Sequence, residues 1–157
     1  MPRARKYWLV KSEPEVYSIE DLERDGSTHW DGVRNYQARN FMRDEMRVGD
    51  LILFYHSNAH PPGVAGVARV SRAAQPDFTA RDPKSPGFDP KSTPEDPVWV
   101  MVELEHVETF SRLVPIAELK GDSALRGMMV TRRGMRLSVQ PVERAHFERV
   151  RRRGRAG

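Results

Sequence analysis

The sequence predicts an α+β domain built on a small mixed barrel or a strongly bent sheet. Apolar, β-rich runs outnumber helical ones, and they do not alternate with helices as βαβ units would. The longest run, over residues 98–110, suits a curved strand. With 157 residues and 38% hydrophobic content, the chain can bury one core, so one domain is expected over 1–157.

Each element has its own local cause. The run YWLVK from Tyr7 to Lys11 is aromatic and β-branched and reads as the first strand, stopped by the turn Ser12-Glu13-Pro14. A helix follows from Ser18, with Asp21 completing a variant capping box, Ile19 and Leu22 on one face and Gly26 past the end. Asn35 offers an N-cap for a second helix, in which Ala38, Phe41, Met42 and Met46 recur at helical spacing before Gly49-Asp50. The strand LILFYHS then forms a hairpin with VAGVARVSR, where Gly63 and Gly66 suggest a bulge or a close backbone approach. Residues 74–97 hold six of the twelve prolines and are expected to be an irregular, exposed loop. Beyond it come the strand over 98–110 with Val100, Val102 and Leu104 on one face, and a short helix opened by Pro115. A strand over 137–142 and a final helix, VERAHFERV, complete the series.

The formal charge of +4 is concentrated at the ends. Arg3, Arg5 and Lys6 lie at one end and Arg149, Arg151, Arg152, Arg153 and Arg155 at the other, while residues 7–148 hold 18 basic against 22 acidic side chains. The basic tail expected from about 149 reads either as a phosphate-neutralising surface or as a solvated, frayed terminus. Without cysteine there is no disulfide, thiolate nucleophile or Cys-based zinc site. His56 and His60 lack a third ligand and a helical HExxH, so neither metal nor cofactor is expected. No P-loop, G-x-G-x-x-G or G-x-S-x-G appears, which removes nucleotide hydrolysis, dinucleotide binding and the serine elbow. No stretch approaches the ~18 apolar residues of a membrane span and the N-terminus lacks the apolar run of a signal, so a cytoplasmic chain with no membrane partner is expected.

Two segments concentrate chemistry. WDGVRNYQARNFMR, from Trp30 to Arg43, combines aromatics for stacking a base, asparagines that present donor and acceptor together, and arginines that grip phosphate or stack. Each also has a plain structural role: Trp30 as a core aromatic, Asn35 as an N-cap, Arg39 and Arg43 as solvated charge. In FYHSN, strand alternation puts Phe54, His56 and Asn58 on one face and Tyr55 and Ser57 on the other, and one of these faces should look into a pocket.

YWLVKSEP, WDGVRNYQARNFMR, VGDLILFYHSN, PGVAGVARV and RLSVQPV, in this order and across almost the whole chain, resemble the EVE-domain family of the PUA-like superfamily. The resemblance implies a PUA-like mixed β-barrel with flanking short helices. It also implies a cleft that recognises modified nucleobases, such as cytosines modified at carbon five, in DNA or RNA. The family's cleft motifs fall on Lys11 and Ser12, on Trp30 and Asn35, on Tyr36 and Arg39, and on Tyr55 and Ser57. In that reading Trp30 stacks the base, Ser12, Asn35 and Ser57 meet its edge, and Lys11 and Arg39 steer phosphate. The expected partner is nucleic acid carrying a modified base, bound by a monomer without catalysis. The rivals are an ASCH-like enzyme using Lys11 with Glu13 for proton transfer, and a protein-interaction module with a vestigial cleft.

Overall fold

A computed structural model describes residues 4–156. Six strands form one mixed sheet in the order β2-β5-β4-β3-β1-β6. They are β1 (Tyr7–Ser12), β2 (Ser27–Trp30), β3 (Leu51–His56), β4 (Gly63–Pro76), β5 (Val100–Pro115) and β6 (Val139–Val142). Four helices flank them: α1 (Ile19–Asp25), α2 (Tyr36–Asn40), α3 (Ile116–Gly121) and α4 (Arg144–Arg155). The β1–β3 pair is parallel, because the crossover carrying α1, β2 and α2 returns the chain to the same end of the sheet. The other neighbouring pairs are antiparallel.

The α+β architecture holds, but the sheet is not closed. Its edges are the four-residue β2 and the four-residue β6, which carries Pro141 and therefore lacks one ladder donor. Strong bending takes the place of closure: the β4–β5 register shifts four times and β3–β4 once. Gly63 and Gly66 permit that bend. A Cβ at Gly66 would run into the Glu108 carbonyl, and one at Gly63 into that of Val114.

The apolar interior lies on both faces of the sheet rather than in the one core that composition suggested. Trp8, Val10, Ile52, Phe54 and Val102 belong to one cluster with Ile19 and Leu22 of α1. Leu9, Leu53, Tyr55, Val67 and Val114 belong to the other, with Phe147 and Val150 of α4. All six residues of β3 are buried, the mark of a central strand covered on both sides.

Ser18 and Asp21 close the expected capping box around α1. The Asn35 side chain caps α2 by accepting from Ala38 N at 3.0 Å. That second helix is shorter than its periodicity suggests: after Asn40 it widens into a π-helical turn, Phe41–Glu45, in which Met46 N donates to Phe41 O five residues back. Strand β2 has no counterpart in the sequence reading, since STHW is short, polar and half exposed. The Pro-rich loop contains one short 3-10 turn, Phe78–Arg81, and β5 runs on to Pro115.

The basic tail expected from about 149 is instead the last part of α4. Arg149 and Arg153 bond Asp122, Arg153 also meets Glu118, and Arg151 and Arg155 bond Glu108. Gly154 lies so close to the Phe110 ring that a Cβ would overlap it. These guanidiniums fasten α4 to β5 through Glu108 and to the end of α3 through Glu118 and Asp122.

Candidate functional site

A cavity of about 530 Å3 opens where β1 and β2 end. Its walls include Lys11, Ser12 and Glu13 from the end of β1, Tyr17 ahead of α1, and Thr28 to Arg34 along and beyond β2. Ser138, just before β6, completes the ring. The volume suits a nucleobase-sized ligand.

Trp30 is the aromatic wall. It is half-buried, with its inner side on the Phe54 ring at 5.5 Å and 74° and packed against the first core cluster, while its outer side lines the cavity. Phe54 is backed by His56 at 5.8 Å. His56 Nε2 accepts the Ile19 backbone N–H at 3.1 Å, which fixes a neutral imidazole, and burial pushes its pKa down against a small opposing pull from Glu20. Among the described residues there is no group of three or more His, Cys, Asp or Glu that could hold a metal.

The turn after Trp30 is locked from below. Gly32, at φ 80, donates its N–H to Asp77 Oδ2 at 2.8 Å, and Arg34 Nη1 reaches the same oxygen at 3.1 Å. Burial raises the Asp77 pKa, but bonds from Thr79, Gly32 and Arg34 outweigh it and hold the carboxyl below its ordinary value. Arg34 also bonds Thr79 and the Gly87 carbonyl, so it ties the Pro-rich loop to the cavity floor. Asp31 stands at the rim with one side open to solvent. Partial burial and the neighbouring Asp77 push its carboxyl above the usual range, opposed by His29 and Arg34.

Residues 6–153 match the EVE domain model. The chain belongs to the EVE-domain family. Human thymocyte nuclear protein 1 is 40% identical over 163 residues, covering 92% of this chain and 72% of its own length. A protein of known structure from Pseudomonas putida is 49% identical with a TM-score of 0.87, over 92% of this chain and 96% of the other. The human THYN1 protein, solved in complex with 5-methylcytosine-containing DNA, is 39% identical with a TM-score of 0.87, over 97% and 99%.

In this EVE domain the eight sequence-selected residues fall into three groups. Lys11, Ser12 and Trp30 share the cavity. Lys11 Nζ donates to the Met135 carbonyl at 2.9 Å, and burial lowers its pKa. Ser12 Oγ donates to the Tyr17 carbonyl at 2.6 Å, leaving its lone pairs as acceptors.

Asn35, Tyr36 and Arg39 instead form a ridge beside the cavity. Tyr36 is 61% exposed and stacks on Trp99 at 4.9 Å and 27°. The Arg39 guanidinium lies over Tyr36 at 4.9 Å while bonding Val98 O and Asn40 Oδ1, so it stiffens the ridge rather than standing free for phosphate. Arg34, 5.4 Å from the Trp99 ring, joins ridge to cavity.

Tyr55 does not reach the cavity. Its ring belongs to the cluster on the opposite face, with Lys11 Nζ 5.8 Å above it, so the face of β3 beneath the cavity is the one carrying Phe54 and His56. Ser57 touches the site only through its backbone, donating to Ser12 O at 2.9 Å. Lys11 and Glu13, the pair of the ASCH-like rival, both line the cavity, where Lys11 Nζ donates to Met135 O and Glu13 accepts from Asn58 Nδ2.

The sequence reading missed His29, Asp31, Tyr17 and Ser138 as wall residues. Asp31 and Ser138 stand inside the motifs WDGVRNYQARNFMR and RLSVQPV. Tyr17 and His29 carried no local signal, because the fold brings the β1 turn and β2 together.

Proposed function

We infer that this EVE domain binds a modified nucleobase, of the 5-methylcytosine class in DNA, turned out of the duplex into the cavity walled by Trp30. The single observation that carries this is Trp30 itself, held by Phe54 on one side and open to a nucleobase-sized cavity on the other. A base removed from the stack loses a few kcal/mol of pairing and stacking, which an aromatic wall and bonds to the base edge offset. Around Trp30 stand acceptors on Ser12 and Asp31 suited to an exocyclic amine, and a cationic Lys11. The human THYN1 complex with 5-methylcytosine-containing DNA, at 39% identity over nearly the whole of both chains, supports the same ligand class here.

Binding is tested with matched duplexes that differ only at one cytosine: unmodified, 5-methyl and 5-hydroxymethyl. A methyl group is worth roughly 1–3 kcal/mol in an apolar site, so the 5-methyl duplex is expected to bind about 10-fold or more tighter than the unmodified one. Equal affinity for all three duplexes would contradict the reading.

A further inference from the structure

Among the described residues, five of the six arginines of α4 pair with carboxylates within the molecule, Arg152 being the exception, whereas a second basic segment has none of its arginines paired. Between Asp122 and Glu143 the chain has no acidic residue and carries Arg126, Arg132, Arg133 and Arg136. All four are exposed, and among the described residues none forms an ion pair or a side-chain hydrogen bond. Arg149, Arg151, Arg153 and Arg155 differ, each with a carboxylate partner.

This basic segment is not a loose loop. Thr131 N and Oγ1 both donate to Met128 O, Arg132 N donates to Met129 O, and Met135 N to Arg132 O. Met128 and Val130 are buried in the second cluster and Leu137 in the first, on which Met129 and Met135 also pack. Apolar anchors on the inside therefore hold unpaired guanidiniums on the outside. The segment also joins the cavity directly: Met135 O receives Lys11 Nζ, Ser138 O receives Lys11 N at 3.0 Å, and Ser138 lines the wall. At its other end, Arg126, Thr131 and Arg133 line a second cavity of about 640 Å3 with Lys120.

We propose that Arg126 to Arg136 form the surface that grips the sugar-phosphate backbone of the DNA strand whose base enters the Trp30 cavity. The proposal rests on the base-binding reading for its register and on charge complementarity for its partner. Exposed guanidiniums without acidic partners, on a segment whose Met135–Ser138 end adjoins the base-sized opening, match a run of phosphates leading away from it, each able to accept two N–H bonds from one arginine. Phosphate contacts of this kind position the duplex and carry no base information of their own.

The test replaces Arg132, Arg133 and Arg136 together by alanine and follows binding to the 5-methylcytosine duplex and its unmodified match by fluorescence anisotropy as salt is raised. Each phosphate contact contributes about 0.9 to the slope of log K against log salt, so the triple variant is expected to lose about 2–3 of slope. It is also expected to bind at least about tenfold more weakly at low salt, with the modified-to-unmodified ratio and the thermal midpoint unchanged. An unchanged slope overturns the proposal, as does an altered ratio at constant slope. If the wild-type protein shows no base preference yet the variant still loses slope, the base reading falls and the backbone surface stands. Absence of any DNA binding by the wild type removes both.

Discussion

Trp30 and His56 show how one side chain can serve two neighbours. Trp30 closes the first core cluster through Phe54 and walls the cavity with its other side, so truncating it acts on both. Trp30→Ala is expected to weaken modified-base binding by ~1–3 kcal/mol and to destabilise less than the 3–5 kcal/mol or so typical of a fully buried aromatic such as Trp8. Isothermal titration and denaturant unfolding on the same protein separate the two effects. His56 must stay neutral to accept the Ile19 N–H, and its pKa is lowered in the folded state. Its contribution is therefore complete above the unfolded value of about 6.5 and is lost as pH falls from there through the folded value. As pH falls from about 7.5 to about 5.5, the protection factors of the α1 amides, corrected for the intrinsic pH dependence of exchange, should fall in the wild type, whereas in His56→Gln they should change much less. Strand alternation made it legible that Phe54 and His56 oppose Tyr55, but not which side meets the cavity. That choice is settled by α1 and β2, which cover the Phe54 side, and by α4, which covers the Tyr55 side.

Among the elements, α4 departs furthest from its sequence appearance. A run of arginines at a terminus looks like solvated charge, and nothing local reveals that Asp122 and Glu108 fold back to meet it. Hydrogen bonds from Arg149 and Arg153 hold the Asp122 carboxyl well below its ordinary value of 3.8. A depressed carboxylate stabilises the fold above its unfolded pKa and loses that contribution as pH falls through the folded value. Asp122→Asn should therefore lower the thermal midpoint at pH 7, with the gap to wild type narrowing progressively below about pH 4. A gap that is constant down to pH 2 would show that α4 docks without this carboxylate. In the β4–β5 pair, Gly66 was legible as a close approach, and the Glu108 carbonyl supplies the reason. Gly66→Ala is expected to cost ~1–3 kcal/mol. Gly121→Ala in α3, where a Cβ meets nothing within 4 Å, should be neutral or stabilising by up to ~1 kcal/mol, and urea titration of both variants measures the two effects.

For the whole molecule, composition and strand count made the α+β class legible, and the five motif blocks fell in one family. Closure was not legible. Whether a bent sheet shuts depends on its two edge strands meeting, and β2 and β6 stand at opposite ends of the order. The cavity was partly legible for a similar reason: motif residues near in sequence, such as Trp30 and Asn35, separate into cavity and ridge, while Tyr17 and Ser138 converge from distant turns. The molecule therefore presents a base-sized opening, joined through Arg34 to an aromatic ridge of Tyr36 on Trp99 and through Lys11 and Ser138 to one end of an unpaired arginine segment. The central claim is that a base leaves the duplex to stack on Trp30. It is tested most directly by placing 2-aminopurine next to 5-methylcytosine in a duplex and recording its fluorescence as protein is added. Extrusion of the neighbouring base unstacks the probe, so a saturable rise is expected with wild type and a much smaller one with Trp30→Ala at protein concentrations that saturate binding. Tight binding of the methylated duplex by wild type with no rise in fluorescence would contradict the account.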